Sequence, residues 1–87
     1  SPKKNLDIGW VIPDFGIGSG GHTTIFRIIS FLEKWGHKNS LYMYPDLRGT
    51  RFTTAPKMHE VIYKHFFPLK AKCFIGADKI GKHDAVL

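Results

Sequence analysis

Cysteine is nearly absent: Cys73 is the only one in 87 residues. A single thiol excludes an internal disulfide framework and a zinc knuckle. Its ordinary role is that of a buried small hydrophobe in a reducing compartment. Long apolar runs are missing too, since none approaches the roughly 18 uncharged apolar residues of a membrane span. The start, Ser1-Pro2-Lys3-Lys4-Asn5, is polar, and the apolar run behind it is too short for a signal peptide. There is no low-complexity tract, and a chain 43% hydrophobic and 23% charged is globular rather than disordered. Acidic residues are scarce: seven Asp and Glu stand against thirteen Lys and Arg, a net charge of +6. That excess favours phosphates, nucleotides, an acidic membrane surface or nucleic acid as partners. The bases are scattered, however, with Lys3-Lys4 and Lys70/Lys72 the only tight pairs. A solvated surface accounts for them, or one half of a protein whose other half balances the charge. At this length the chain is one small domain or a piece of a larger one, with marginal stability expected.

What is present alternates between two periods. Ile8-Gly9-Trp10-Val11-Ile12 is a continuous apolar run ended by Pro13 and Asp14, as in a parallel strand covered on both faces. Ile25, Ile28, Ile29 and Leu32, with Phe26 and Trp35 alongside, then follow helical spacing. Gly36 is placed to stop that helix, and His37-Lys38 suit its negative end. Leu41-Tyr42-Met43-Tyr44 reads as a second strand, closed by Pro45-Asp46. Thr53 or Thr54 can cap a second helix with Pro56 in its first turn. Met58, Val61, Ile62 and Phe66 give that helix a buried stripe. Cys73-Phe74-Ile75-Gly76 reads as a third strand, Asp78 to His83 as a basic linker, and Ala85-Val86-Leu87 as the start of a fourth strand. The order β-α-β-α-β-β predicts an α/β, Rossmann-like doubly wound sheet, mostly parallel, over residues 1–87. A strand beginning at the last residues reads as part of a longer sheet. With strand order 3-2-1-4, the fourth strand is an exposed apolar edge that invites pairing between chains.

In such a sheet, ligands bind beyond the carboxyl ends of the strands. That puts Phe15-Gly16-Ile17-Gly18-Ser19-Gly20-Gly21 at the functional edge. Successive N–H groups beside a helix N-terminus make an anion site, and glycines let a phosphate come close. The plain alternative is a tight turn beneath the helix. Gly16-x-Gly18-x-x-Gly21 also matches a dinucleotide fingerprint, with Asp46 after the second strand as the ribose ligand. Pro13-Asp14-Phe15 separates that fingerprint from its strand, where the true motif turns directly. A P-loop fits one residue worse: His22 stands where the phosphate-binding lysine belongs.

Trp10-Val11-Ile12-Pro13-Asp14-Phe15, then Gly18-Ser19-Gly20-Gly21-His22-Thr23-Thr24-Ile25-Phe26-Arg27, then Leu32 to His37, together resemble the start of a GT-B glycosyltransferase. The likeness is to the rhamnosyltransferase-like branch of the glycosyltransferase-4 family, and its specific part is Pro13 to Arg27. Ala77-Asp78 and His83 to Leu87 resemble the family's fourth strand. The resemblance implies a fragment of a GT-B N-terminal domain, the acceptor side of a two-domain enzyme. The parent enzyme would transfer a sugar, with rhamnose as candidate, from a nucleotide-diphosphate sugar to a growing glycan. It implies Gly18, Gly20, Gly21 and His22 as the loop near the donor phosphate and sugar. Asp14, Thr23 and Arg27 are the candidates for acceptor or anion contact. It implies no metal and no cofactor beyond the nucleotide-sugar co-substrate. A cytoplasmic location, peripheral to the inner face of the plasma membrane, goes with it. The donor-binding C-terminal domain is absent from these residues, so the chain alone is expected to be inactive.

Other residues have plainer readings beside functional ones. His22 can donate to a phosphate or bond to local backbone. Asp14 can meet an acceptor hydroxyl or cap its own loop. Arg27 can lean to the loop or coat the helix. Arg48 and Arg51 can meet an anionic acceptor or lipid headgroups, or be solvated. His37, His59, His65 and His83 share no zinc spacing and read as solvated. Trp10, Tyr42 and Tyr44 read as core packing. The alternative function is a stand-alone Rossmann-like module that binds nucleotide or nucleic acid. Nucleic acid is the weaker option, because the chain lacks the aromatic-basic interleaving of an RNA-binding sheet.

Overall fold

The computed structural model describes residues 5–16, 18–44 and 54–87. Lys3-Lys4, Ile17, Asp46, Arg48, Arg51 and the alternative cap Thr53 lie outside them. The elements are β1 (Asp7–Pro13), α1 (Gly20–Lys34), β2 (Lys38–Tyr44), α2 (Ala55–His65), β3 (Lys72–Ile75), a 3-10 turn (Ala77–Lys79) and β4 (Ala85–Val86). The strands form one sheet in the order β3-β2-β1-β4. All three pairings are parallel, with Trp10 opposite Leu41, Tyr42 opposite Phe74 and Ile8 opposite Ala85. This is an α/β, Rossmann-like arrangement, as the alternating periods predict.

Side chains alternate across a strand, so each strand has two sets of neighbours. Ile8, Trp10 and Ile12 of β1, with Leu41 and Met43 of β2, meet Phe26 and Ile29 of α1 and Met58 and Ile62 of α2. The helices touch at Phe26 and Phe66, whose rings meet edge-on at 5.0 Å. Phe15 closes the top of this core at 5.3 Å from Phe26. Burying each such side chain contributes roughly 1.5–3 kcal/mol, so Phe26→Ala would cost about 3–5 kcal/mol.

Both helices therefore cover the same face, and the double winding expected from sequence is present on one side only. The other face carries Gly9, Ser40, Tyr42 and Phe74, with Tyr42 and Phe74 stacked at 4.9 Å. An extended crossover of residues 76–84, with its single 3-10 turn, lies over that face.

The caps explain the helix ends. Ser19 caps α1, so the helix opens at Gly20, two residues before His22. Gly36, at φ +92°, ends it as expected. Gly36 N–H donates to Glu33 at 3.0 Å and His37 N–H to Leu32 at 3.0 Å, the paired bonds of a Schellman stop. Thr54 caps α2, and Pro56 sits in its first turn. β2 starts three residues before Leu41, because Asn39 is a buried strand residue whose Oδ1 accepts from Trp10 Nε1 at 3.0 Å. Tyr44, read as core, is instead 42% exposed at the end of β2. On α1 and at its C-cap, Ile28 and Trp35 also face solvent rather than core.

Candidate functional site

The β1–α1 connection lies at the carboxyl edge of the sheet. Asp14 N–H donates to the Tyr44 carbonyl at 3.0 Å, which ties the loop to the end of β2. Asp14 Oδ1 accepts from Phe15 N–H at 2.8 Å, so its carboxylate caps its own loop. Gly18 has φ +92°, a conformation that favours glycine. Ser19 N–H then donates to Gly16 at 3.3 Å, and the helix begins.

Gly20 and Gly21 differ from Gly18. Neither has a positive φ, and a Cβ at either would meet nothing within 4 Å. The fold does not need glycine at these two places. Both are exposed, and their amides bond to no described residue. They form the open, positive end of a 15-residue helix with no acid in its first turn.

His22 is held on both ring nitrogens. A carbonyl only accepts, so Nε2–H donates to Pro13 O at 2.9 Å. Nδ1 is then the acceptor for the Ser19 hydroxyl at 2.8 Å. The ring also packs 4.9 Å from Phe15. His22 therefore clamps the end of β1 to the start of α1. Thr23 Oγ1 donates to Ser19 O at 2.8 Å, and Thr24 Oγ1 to Gly20 O at 3.3 Å. Those hydroxyl protons are committed to backbone. Arg27 stands one turn further along α1, exposed.

Asp14, Gly18, Gly20, Gly21, His22 and Thr23 thus gather on one loop and helix end, while Arg27 stands about two turns along α1. What they offer a ligand is two amide donors and a positive helix terminus, which suits a phosphate oxygen. Among the described residues no cluster of three or more His, Cys, Asp or Glu side chains could hold a metal ion. No helix among them is long and apolar enough to cross a membrane. Among the described residues, a depression of about 470 Å³ lies away from this loop, along α2 and β3 past Pro56, His59 and Phe74.

Two polar arrangements escape the sequence. His83, read as solvated, has a side chain only 5% exposed, with Nδ1 2.6 Å from Asp7 Oδ1. Its Nε2 is 2.6 Å from the Tyr42 hydroxyl. The ring lies over Gly9, where a Cβ would be 2.7 Å from Cδ2. A glycine inside an apolar strand was the available signal, since it marks a close approach. Glu33 leaves α1 to accept the amides of Lys70, at 2.9 Å, and Ala71, at 2.8 Å. His59 and His37 are also engaged, the former with Leu69 O at 2.8 Å and the latter with Leu6 N–H at 3.0 Å. Burial pushes the Cys73 thiol up to about 12, which makes it a poor nucleophile.

Comparison with protein-family models, curated proteins and solved structures finds no match.

Proposed function

We propose that this chain is the acceptor-side part of a GT-B glycosyltransferase that moves a sugar from a nucleotide-diphosphate donor to a growing glycan. The observation that carries the reading is the Gly20-Gly21 pair: helical, exposed and unneeded by the fold, with free amides. Side chains there would cost the fold nothing, so their lack is best explained by a ligand that approaches the backbone. A diphosphate is the ligand such a terminus suits. Charge growing on the leaving diphosphate would be met by these amides and the helix dipole, without a metal. His22 sets the angle of the loop, and Asp14 lies on the acceptor side of it. Rhamnose as the donor sugar rests on the resemblance of Pro13 to Arg27 alone, as does a cytoplasmic location. Most donor contacts, and turnover, would belong to a second domain outside these residues.

The test is an amide-resolved NMR titration with a nucleotide-diphosphate sugar. Saturable shifts are expected at Gly18, Gly20, Gly21 and Thr23, without release of nucleotide diphosphate above an enzyme-free blank. Silence at those amides, together with oligonucleotide binding that weakens steeply with salt, would replace the reading with a nucleic-acid module.

A further inference from the structure

Helix α1 is apolar on two sides. Phe26 and Ile29, with Ile25 and Leu32, fill the core. Ile28, Phe31 and Trp35 form a second stripe at i, i+3 and i+7, and they are 45%, 49% and 65% exposed. The charges beside the stripe are of one sign. Arg27 and Lys34 flank Phe31, and Lys34 Nζ sits 5.5 Å from the Phe31 ring centre. Lys38, exposed, follows Trp35. The one acid of α1, Glu33, is turned away and bound to the amides of Lys70 and Ala71.

We infer that this outer face of α1 rests on an anionic membrane surface. Ile28, Phe31 and Trp35 enter the boundary between headgroups and acyl chains, while Arg27 and Lys34 meet lipid phosphates. Apolar side chains with a tryptophan, edged by cations on a chain of net charge +6, are the pattern of an interfacial helix. A protein partner fits less well. Three half-exposed side chains supply far less than the roughly 800 Å² per partner of a stable interface. The same small area suffices for reversible partition when anionic lipid adds its attraction. The inference does not depend on the glycosyltransferase reading.

The test is co-sedimentation of the chain with phosphatidylcholine vesicles, with and without phosphatidylserine. Pelleting is expected only with phosphatidylserine, falling as salt rises, with a blue shift of tryptophan emission. Trp35→Phe should remove the shift, because the remaining Trp10 is buried in the core. Ile28→Ser with Phe31→Ser should cut partition by about tenfold or more. Arg27→Glu with Lys34→Glu should remove the preference for anionic lipid. Circular dichroism melts of both variants, made at solvent-facing positions, check that the fold persists. Equal pelleting on both vesicle types, no pelleting, or variants that pellet like the parent would overturn the inference. Self-association of the parent without lipid, abolished by Ile28→Ser with Phe31→Ser, would overturn it too and assign the face to a second copy.

Discussion

The His83 imidazole reaches the Asp7 carboxylate across 76 positions of sequence, Nδ1 to Oδ1 at 2.6 Å. A carboxylate accepts, so Nδ1–H donates, and Nε2 is left to receive the Tyr42 hydroxyl at 2.6 Å. Asp84 completes the closure: its Oδ2 accepts from Asp7 N–H at 2.8 Å, and its N–H donates to Asp7 O at 2.7 Å. These bonds, more than apolar packing, bring β4 to β1, since Ala85, Val86 and Leu87 are all exposed. His83→Ala removes both ring bonds and leaves the Tyr42 hydroxyl with the Gly81 N–H alone, at 3.4 Å. A loss of about 1–3 kcal/mol is expected in urea unfolding. The amides of Val11 and Leu87, which bond across the β1–β4 pair, should exchange faster with solvent.

Gly9 belongs to the same closure. A Cβ there would press to 2.7 Å from His83 Cδ2. Gly9→Ala should therefore push the imidazole off its two partners and destabilise by an amount similar to His83→Ala. The double variant should lose clearly less than the sum of the two, because one displaced ring is counted twice. Additive losses in the thermodynamic cycle would mean that Gly9 acts through the strand backbone instead.

Glu33 joins α1 to the segment entering β3. Its two oxygens take Lys70 N–H at 3.1 and 2.9 Å and Ala71 N–H at 2.8 Å, bonds strengthened by the carboxylate charge. Glu33→Gln keeps one acceptor oxygen but turns an amide donor toward an N–H. Glu33→Ala leaves no acceptor at all. Losses of about 1–3 kcal/mol are expected for Ala and less for Gln, read as a lower urea midpoint at unchanged slope.

Cys73 gives the pH-dependent prediction. Burial raises its thiol from the ordinary 9.0 to about 12 in the fold. Between those values the unfolded chain releases the proton and the folded chain keeps it. The unfolded state then binds fewer protons, so stability falls as pH rises above about 9. Relative to Cys73→Ala, the parent should lose stability over that window at up to about 1.4 kcal/mol per pH unit, with the difference flat below it. A thiol reagent at mildly alkaline pH should label unfolded chain and spare folded chain.

The sheet order, both helices, the cap at Thr54 and the stop at Gly36 were legible because each rests on local chemistry: period, capping oxygen, positive φ. The place of the glycine-rich loop at the carboxyl edge of the sheet was legible for the same reason. Three kinds of feature were not. Asn39-Ser40 lies outside the run Leu41 to Tyr44, and it is the pairing with β1, together with the bond from Trp10 Nε1, that makes Asn39 a buried strand residue. Ile28, Phe31 and Trp35 shared helical spacing with the core stripe, and spacing does not say which apolar side is covered. His83 and Glu33 act through partners 76 and 37 positions away; Gly9 marks a close approach to β1, but no local pattern says that His83 makes it.

Gly20 and Gly21 separate stability from function in opposite directions. Their backbone is compatible with alanine, and the space around each is open. Alanine in a helix loses less conformational freedom on folding, so Gly20→Ala and Gly21→Ala should each stabilise by about 0.4–1 kcal/mol. The added methyls stand where a phosphate must come close, so nucleotide-diphosphate binding should weaken in the same variants. Gly20→Asp sharpens the contrast: its carboxylate favours the helix N-terminus and repels the anion. Thermal melts paired with the NMR titration read both effects in one protein. Stabilised variants that still bind at parental strength would mean that the glycine pair is not a ligand contact.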